Sequence, residues 1–455
     1  MKKNFFDPND FPAESDSKMI QMAVDEAAAS GCSRVVIPAY NSRTDSYLWV
    51  IDEAIELPSH MYVEINNAHL RMADGVYCQM FRNSNAFRQI GLTEEGLQED
   101  IVIQGVGGAL LDGGLHNGLR EKTSQKDGLP DIVHNLTIYL HNVRNFRIGG
   151  FTVRDQRWWA LCFLFAWEGT VSNIRFELTD WALRGDPDRP WKNQDGVDLR
   201  VGCHDISIHD LYGETGDDIV ALTALAIGER GFERVWYCSH LKGDIYNVDI
   251  HDIIGTNNHC KLVRLLCHGD NQIYNISIHN IFDQSLEETC LDPLVYKSIR
   301  TSCCVEIGEN DYFNDIEARK GKPDDMHDIA ISSIYSSALA AVDVNWGVKN
   351  LSVRDVFVKN PGGHALSVSK IKAGRHEHLD DPKNITYLEN VLVDGVFFHS
   401  DREDAVPFFF DALVAKNVRI RNVSYKCGNG SGLVKNLRPQ AESEAVSFEN
   451  ITEEI

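Results

Sequence analysis

A short chemical pattern returns along most of the chain and constrains its fold more than any other feature. A polar or small residue, often Asn, precedes an alternating apolar and polar run that closes on Asp, Asn or Gly. Strict alternation is typical of a β-strand, and a unit that returns every two or three dozen residues indicates a repeat architecture. The first apolar residues of the nine copies are Phe146, Ile174, Ile206, Val248, Ile276, Ile329, Leu351, Val391 and Val418.

The spacing of these residues favours a solenoid. Successive steps are 28, 32, 42, 28, 53, 22, 40 and 27 residues. The shorter steps are close to one coil of a β-solenoid, and the longer ones leave room for loops or a missed coil. The alternative is an antiparallel sandwich, but Asn-Gly and Asp-Gly hairpin signals are scarce between neighbouring units. We therefore expect the nine copies to be parallel strands of an all-β solenoid.

An uncovered end of such a solenoid would invite edge-to-edge association, and the N-terminus can supply a cover. Residues 20–28 place apolar side chains at helical spacing, which predicts an amphipathic helix near 17–30 with the apolar residues Ile20, Ala23, Val24, Ala27 and Ala28. Asp16 or Ser17 can cap its start, and Gly31 can end it. A first strand follows at 34–40.

Charge and cysteine content exclude several classes of protein. The chain has 455 residues and a formal net charge of −23, whereas a nucleic-acid-binding protein needs a basic face. The excess of acidic residues also argues against a protein that binds to a membrane surface. The start shows no apolar signal-peptide region, and 11 cysteines are too few for a disulfide scaffold. We expect a cytoplasmic protein with reduced thiols.

Acidic residues recur at the spacing of one coil. Asp195 and Asp217 are 22 residues apart, as are Asp218 and His240. Groups one coil apart in a solenoid are neighbours, so three carboxylates would crowd one patch and push one pKa upward. Consecutive strand residues face opposite ways, and Gly216 permits the bulge or turn that would bring both aspartates outward. A solvated acidic turn or a calcium site is the alternative.

Several segments resemble the pectin-lyase-like right-handed parallel β-helix superfamily. Residues 20–40 resemble its capping helix and first strand, and the resemblance continues through 56–72 and 101–114. It implies one domain over 1–455, with the N-terminal cap and first strand in 1–40, coils in 56–430, and a C-terminal cap or tail in 431–455.

Within that superfamily, residues 140–270 resemble glycoside hydrolase family 28, the polygalacturonases and rhamnogalacturonases. NQDGVDLR at 193–200 and TGDDIVAL at 215–222 carry the resemblance. It implies an inverting hydrolase of pectin-type oligosaccharides containing uronic acid or rhamnose. By this resemblance Asp217 is the general acid, Asp195 and Asp218 activate water, and Asn193 holds the local geometry and contacts the sugar.

Two departures from the family pattern affect these assignments. Gly-His-Gly is replaced by Ser-His-Leu around His240, which either tunes the acid cluster or is a structural histidine. The Arg-Ile-Lys that would hold a uronate retains Arg264 but has Leu266 in place of Lys. Lys261 lies nearby as a further candidate, and Arg264 alone can still bind a carboxylate in fork geometry.

Aromatic residues and rival functions complete the predictions. Trp159 and Trp236 are candidates for stacking on a sugar, with a place in the core as the alternative. The rival functions are a polysaccharide lyase or epimerase, using a Lys, Arg or Tyr base often with calcium, and a non-catalytic carbohydrate-binding solenoid. The hydrolase prediction needs no metal or cofactor. Its partner is an oligosaccharide, with no nucleic acid and no membrane.

Overall fold

The computed structural model describes residues 4–114, 135–179, 193–225, 236–257, 260–285, 301–309, 322, 324–359, 363–368, 386–401, 405–410, 412, 414–428, 432–435 and 445–454. The chain forms two compact units. The N-terminal unit comprises the described residues up to Asp217 together with 236–242, and the C-terminal unit comprises 218–225 and the described residues from Gly243 onward. Among the described residues, no helix is long and apolar enough to cross a membrane.

The predicted helix is present as α1 (Asp16–Ser30), but neither residue expected to cap it does so. The hydroxyl of Ser15, whose backbone is extended, caps the helix instead. The side chains of Asp16 and Ser17 accept the backbone N–H groups of Val50 and Asp52, at 2.7 and 2.9 Å. These two side chains therefore dock the helix on the first coil.

The end of α1 agrees with the sequence, whereas its buried apolar face differs from the prediction by one residue, with Met19 in place of Ala28. Gly31 ends the helix in the left-handed conformation, with φ of 70°. Ala28 is exposed, while the buried apolar side chains are Met19, Ile20, Ala23, Val24 and Ala27. Three 3-10 helices accompany α1 at Pro8–Asp10, Gln89–Leu92 and Glu94–Gly96.

The N-terminal unit consists of short parallel strands stacked coil on coil. The strands are β1 (Arg34–Pro38), β2 (Trp49–Ile51), β3 (Ile55–Leu57), β4 (Tyr62–Asn66), β5 (His69–Met72), β6 (Phe81–Asn83), β7 (Gln98–Val106), β8 (Leu110–Asp112), β9 (Ile138–Arg154), β10 (Leu161–Glu177), β11 (Val197–Leu199) and β12 (His204–Thr215). One parallel ladder runs β1–β4–β7–β9–β10–β12, a second runs β2–β5–β8, and a third runs β3–β6–β9–β10–β11.

The C-terminal unit repeats this arrangement with two ladders. Its strands are β13 (Val220–Ala224), β14 (Ile245–Asn257), β15 (Lys261–Cys267), β16 (Ile273–Asp283), β17 (Cys303–Ile307), β18 (Met326–Ser336), β19 (Ala340–Val344), β20 (Val348–Lys359), β21 (His364–Val368), β22 (Tyr387–Ser400), β23 (Phe408–Phe410), β24 (Val414–Cys427), β25 (Val434–Lys435) and β26 (Val446–Glu453). The even-numbered strands from β14 to β26 form one parallel ladder, and the odd-numbered strands from β13 to β25 form the other.

This arrangement is a right-handed parallel β-helix with an N-terminal capping helix, as predicted. All nine copies of the sequence pattern lie in strands of parallel ladders. The ladder also continues past residue 430, because β26 pairs with β24 where the sequence predicted a cap or tail. The assignment of the whole chain to one domain stays a prediction.

The polar residues that bracket each copy of the pattern occupy left-handed corners. Each coil from β14 to β24 in the even-numbered ladder has two residues with positive φ, five positions apart, and Asn, Asp and Gly tolerate this conformation best. The pairs are Asn247/Asp252, Asn275/Asn280, Asp328/Ser333, Asn350/Asp355, Asn390/Gly395 and Asn417/Asn422. Side-chain amides at the first corner also bond from coil to coil, as in Asn390 to Asn350 at 3.1 Å and Asn417 to Asn390 at 2.9 Å.

The strand alignment predicted from the sequence pattern agrees with the observed register in the C-terminal unit, but not throughout the N-terminal unit. Val248, Ile276, Ile329, Leu351, Val391 and Val418 stand directly opposite one another along the ladder. Ile174, however, lies opposite Phe151, and Gly169 lies opposite Phe146. Asn173 precedes Ile174 in the sequence pattern, but it is the second left-handed corner of this coil, and Glu168 is the first.

Candidate active site

The segments that carry Asp195 and Asp217 lie side by side in the N-terminal unit. The backbone carbonyl of Gln194 accepts the N–H groups of Gly216 at 3.2 Å and Asp217 at 3.4 Å. Position 216 approaches this segment so closely that a Cβ there would lie 2.7 Å from the Gln194 amide oxygen. β12 ends at Thr215, so the chain leaves the strand at Gly216, as the sequence predicts.

The Gln194 side chain takes part in a buried amide pair. Its Nε2 donates to the carbonyl of Gln156 at 2.6 Å, and Gln156 Nε2 donates to the carbonyl of Gln194 at 3.1 Å. The backbone carbonyl of Asp195 accepts the N–H of Ala160 at 2.9 Å. These bonds fix the backbone around Asp195, which is 3% exposed, while Asp217 remains half-buried and accessible to solvent.

Trp159 packs within the protein rather than across an open surface. Its Nε1 donates to Asn193 Oδ1 at 3.2 Å, and the guanidinium of Arg200 lies 4.7 Å from its ring centre. Arg200 Nη1 is in turn 4.0 Å from Asp198 Oδ1. Because Trp159 is only 5% exposed, little of its ring is available to a sugar, and the structure favours its place in the core.

Trp236 packs against the same buried apolar cluster, as does Leu241, the neighbour of His240 in sequence; the cluster includes Tyr139, Trp158, Trp159, Phe165 and Cys238. The half-buried ring of Trp236 meets Phe87 edge to face, with ring centres 5.3 Å apart. His240 is exposed, in a turn closed by the N–H of Leu241 to the carbonyl of Cys238. The catalytic role of His240 and the substrate-binding role of Trp236 stay predictions.

In the C-terminal unit, Asp218 is buried and held from two directions. Its Oδ1 accepts the backbone N–H of Lys261 at 2.9 Å, and its Oδ2 is 3.5 Å from Arg264 Nη1. Asp218 is 1% exposed. A hydrogen bond and an opposite charge both favour the ionised form of a carboxylate, whereas burial opposes that form.

The two cations expected to bind a uronate are engaged with protein carboxylates. Lys261 Nζ lies 3.0 Å from Glu306 Oε2 and 3.5 Å from Glu309 Oε1. Arg264 Nη2 lies 2.8 Å from Glu309 Oε2. All of these side chains are at most 13% exposed. Together with Asp218, they form a buried network of three acids and two bases, here called the ion network.

Charge balance inside the ion network determines the protonation of Lys261. Burial disfavours the charged ammonium, but the carboxylates of Glu306, Glu309 and Asp218 outweigh this effect and hold the pKa of Lys261 well above its ordinary value. Lys261 therefore stays protonated throughout the neutral range and cannot accept a proton as a general base.

Sequence reasoning missed three of the four acids in and beside the ion network, namely Glu306, Glu309 and Asp343. Arg264, Glu306 and Asp343 stand opposite one another on β15, β17 and β19. Asn345 links the last two, donating to Asp343 Oδ2 at 3.0 Å and to Glu306 Oε1 at 3.4 Å. The available signal was a single charged residue inside a short apolar strand, as in CCVEI and AAVDV. The convergence of Asp195, Asp217 and Asp218 on one cleft stays a prediction.

Comparison with known proteins gives a fold but no close relative. No protein-family model and no curated protein matches the sequence. The family 28 exopolygalacturonase of Yersinia enterocolitica is 14% identical, with a TM-score of 0.46 over 99% of this chain and 78% of its own. The mannuronan C-5 epimerase A-module of Azotobacter vinelandii is 12% identical, with a TM-score of 0.46 over 98% and 95%.

A phage protein is more similar in structure. The pre-mature gene product 12 of bacteriophage phi29 is 12% identical, with a TM-score of 0.61 over 98% of this chain and 52% of its own. At such low identity this likeness shows a shared fold and nothing finer. Any activity of this chain must therefore be argued from its own residues.

Proposed function

We propose that this protein is a glycoside hydrolase that cleaves pectin-type oligosaccharides, containing uronic acid or rhamnose, with inversion at the anomeric carbon. One observation carries the proposal: the Gln194 carbonyl binds the N–H groups of both Gly216 and Asp217. It supports the pairing of the two acidic segments that the sequence assigned to catalysis. Glycoside hydrolysis requires such a pair of carboxyl groups, one acid and one base.

We assign the proton-donating role to Asp217 and the water-activating role to Asp195, with Asp218 assisting. Asp217 is half-buried, so a leaving-group oxygen can reach it, and Asp195 and Asp218 are more deeply buried. An inverting mechanism places acid and base about 6.5–9.5 Å apart, with a water molecule between the base and the sugar. His240 is assigned a tuning role beside the acid, and Asn193 a role in holding the sugar.

The ion network bears on which sugar the protein prefers. Its five side chains comprise three acids and two bases, so these residues do not form a net cationic receptor. A uronate bound by Arg264 would compete with Glu309 for the guanidinium. This competition favours the rhamnose-containing class of substrate over plain polygalacturonate.

The protonation of Lys261 argues against a lyase or epimerase that uses Lys261 as its base. A lyase or epimerase needs a basic side chain that removes a proton from the sugar ring. Lys261 is kept charged by its carboxylate neighbours, which hold its pKa well above the ordinary value against the effect of burial. Hydrolysis by aspartates needs no such base, so the hydrolase remains the better-supported function.

Product analysis tests the proposal directly. The full-length protein is incubated separately with oligogalacturonides and with rhamnogalacturonan oligosaccharides, and new reducing ends are counted. Proton NMR of the first product then reports its anomeric configuration. We expect saturated products with inverted configuration, and faster turnover of the rhamnose-containing substrates.

Other results would replace the proposal by a named rival. Products that contain a carbon–carbon double bond, seen by their ultraviolet absorbance, would establish a lyase. A change in sugar configuration without chain cleavage would establish an epimerase. Saturable binding with complete recovery of intact oligosaccharide would establish a non-catalytic binding protein.

A further inference from the structure

A row of aromatic side chains runs along the outside of the C-terminal unit. Phe282, Tyr335, Phe357 and Phe397 occupy one register position on β16, β18, β20 and β22. Their ring centres are 4.5, 4.8 and 5.0 Å apart, and neighbouring rings are within 6° of parallel. The coil spacing of a parallel β-helix, about 4.8 Å, imposes this face-to-face stack.

The aromatic row ends abruptly at Phe397. The residues at the same register position on the next two strands are Ser424 and Thr452, which are too small to continue the stack. Phe397 is accordingly 51% exposed. Beside it lies an open cavity of about 480 Å³, lined by Phe357, Phe397, Ser424 and Glu454 among others. This volume lies within the range of about 300–1,000 Å³ that is usual for ligand pockets.

Polar groups surround the open face of Phe397. Lys359 and His399 lie two residues beyond Phe357 and Phe397 on the same strand faces, in register with each other. Both also line the cavity. On the other side, the hydroxyl of Ser424 donates to the carboxylate of Glu454. An apolar ring face bordered by a cation, a hydroxyl and a carboxylate suits a ligand that has one apolar face and a rim of hydroxyl groups.

We propose that this cavity is a carbohydrate-binding site in which a pyranose ring stacks on Phe397, above Ser424. The sugar would take the next position in the aromatic row, with its axial C–H groups against the ring and its hydroxyls bonded to Glu454 and Lys359. A nucleotide fits less well, because its phosphates would meet Glu454 and Asp401, which lies 3.5 Å from His399 Nε2. This site performs no chemistry and does not depend on the proposed hydrolysis.

Two substitutions probe the site in opposite ways. Phe397→Ala removes the stacking surface, whereas Ser424→Tyr fills the proposed sugar position with a fifth ring and deletes no aromatic group. Tyr246→Ala is the matched control, because Tyr246 stacks on Tyr274 at 5.0 Å elsewhere in the same unit. All variants carry Asp217→Asn, so that any turnover does not consume the probe.

Saturation-transfer NMR and calorimetric titration with hexameric rhamnogalacturonan and galacturonan oligosaccharides provide the measurement. We expect Phe397→Ala and Ser424→Tyr each to weaken binding at this site by about tenfold or more, since a lost stacking contact of about 1.4 kcal/mol corresponds to a factor of ten. Tyr246→Ala should bind like the parent. Circular dichroism checks that each variant is folded.

Two results would overturn the proposal. One is binding that neither Phe397→Ala nor Ser424→Tyr weakens, which would place the sugar elsewhere. The other is a parent protein that binds no oligosaccharide at millimolar concentration. Hydrolysis can fail or succeed in either case, so the outcome is separate from that of the proposed function.

Discussion

The ring of Phe146 fills the space in which residue 169 of the next coil would place its side chain. Gly169 stands in register with Phe146, and a Cβ built at position 169 would lie 2.1 Å from Phe146 Cζ. Phe146 is 1% exposed and stacks on Phe163 with ring centres 4.8 Å apart. The ring of Phe146 thus fills space that belongs to two neighbouring coils. In the C-terminal unit, each coil fills its own share of this space with a branched aliphatic residue.

Substitutions that move side-chain volume from position 146 to position 169 test this packing. Gly169→Val alone should destabilise the fold by about 1–3 kcal/mol, because it overpacks a rigid core. Phe146→Val alone should also destabilise it, by leaving a cavity. The double variant should recover much of the loss, and a double-mutant cycle from urea unfolding measures the coupling. Strictly additive losses would mean that the two side chains do not share this space.

Asp217→Asn tests the proposed acid. A neutral amide cannot donate the proton, so kcat should fall by at least about 100-fold while KM changes little. The control is Asp210→Asn, an aspartate at a partly exposed left-handed corner that Asn tolerates equally well. It should leave kcat unchanged. Near-normal turnover by Asp217→Asn would remove the acid assignment.

Lys261→Met tests the ion network. It leaves Glu306 and Glu309 buried without their ammonium partner, and breaking such a pair typically costs about 3–5 kcal/mol. The pKa of Lys261 is raised, since its carboxylate neighbours outweigh burial, so its stabilisation is complete below about pH 10.4 and is lost as the pH rises through the folded pKa. Urea unfolding should therefore show the same deficit at every neutral pH.

The control for Lys261→Met is Lys349→Met, which removes an ammonium that is 3.3 Å from Asp324 at the exposed surface. Solvent screens this pair, so its loss should change the unfolding midpoint little. Equal effects of the two substitutions would show that the buried network adds nothing beyond a surface pair.

His141 predicts acid sensitivity of the N-terminal unit. Its ring is completely buried, stacked on Tyr139 and 3.4 Å from Cys238 Sγ. Burial lowers its pKa to about 4, opposed by a hydrogen bond with the backbone of Trp236. Between about pH 6.5 and 4 the unfolded chain binds a proton that the folded protein does not, so stability should fall by about 3 kcal/mol over this range.

Measuring unfolding free energy against pH separates His141 from other groups. His141→Gln should remove most of the slope between pH 6.5 and 4, whereas His60→Gln, at an exposed position, should retain it. Burial raises the pKa of Cys238 to about 12, so this neighbour stays neutral and does not contribute. An unchanged slope in His141→Gln would assign the acid sensitivity elsewhere.

The sequence predicts the ladder of β14 to β26 well, because the same physical cause acts in one coil after another. Left-handed corners select Asn, Asp and Gly, and the residues between them alternate, so Val248, Ile276 and Ile329 could be aligned by pattern alone. The same pattern misaligned Ile174, because the first left-handed corner of that coil is Glu168. Glu is not one of the residues that usually mark such a corner.

The candidate site was less predictable, because burial of the outward faces depends on what covers each strand. Alternation distinguishes the two faces of a strand but cannot tell an exposed outer face from a covered one. The pattern therefore gives no reason to single out Glu306 and Asp343, and it leaves Trp159 open between sugar stacking and a place in the core. In the structure Glu306 is 1% exposed, Asp343 7% and Trp159 5%.

Because the register of β14 to β26 is fixed, the position of a residue along the axis of the coils depends on the number of coils, or rungs, that precede it. It does not depend on the number of residues that precede it. Val248 and Val446 are 198 residues apart in sequence but only six rungs apart, or about 29 Å at the usual strand spacing. Chain inserted between rungs costs little, since doubling a loop adds only about 0.6 kcal/mol of closure entropy. A protein built this way can exchange its ligand-contacting segments over generations while every rung keeps its place.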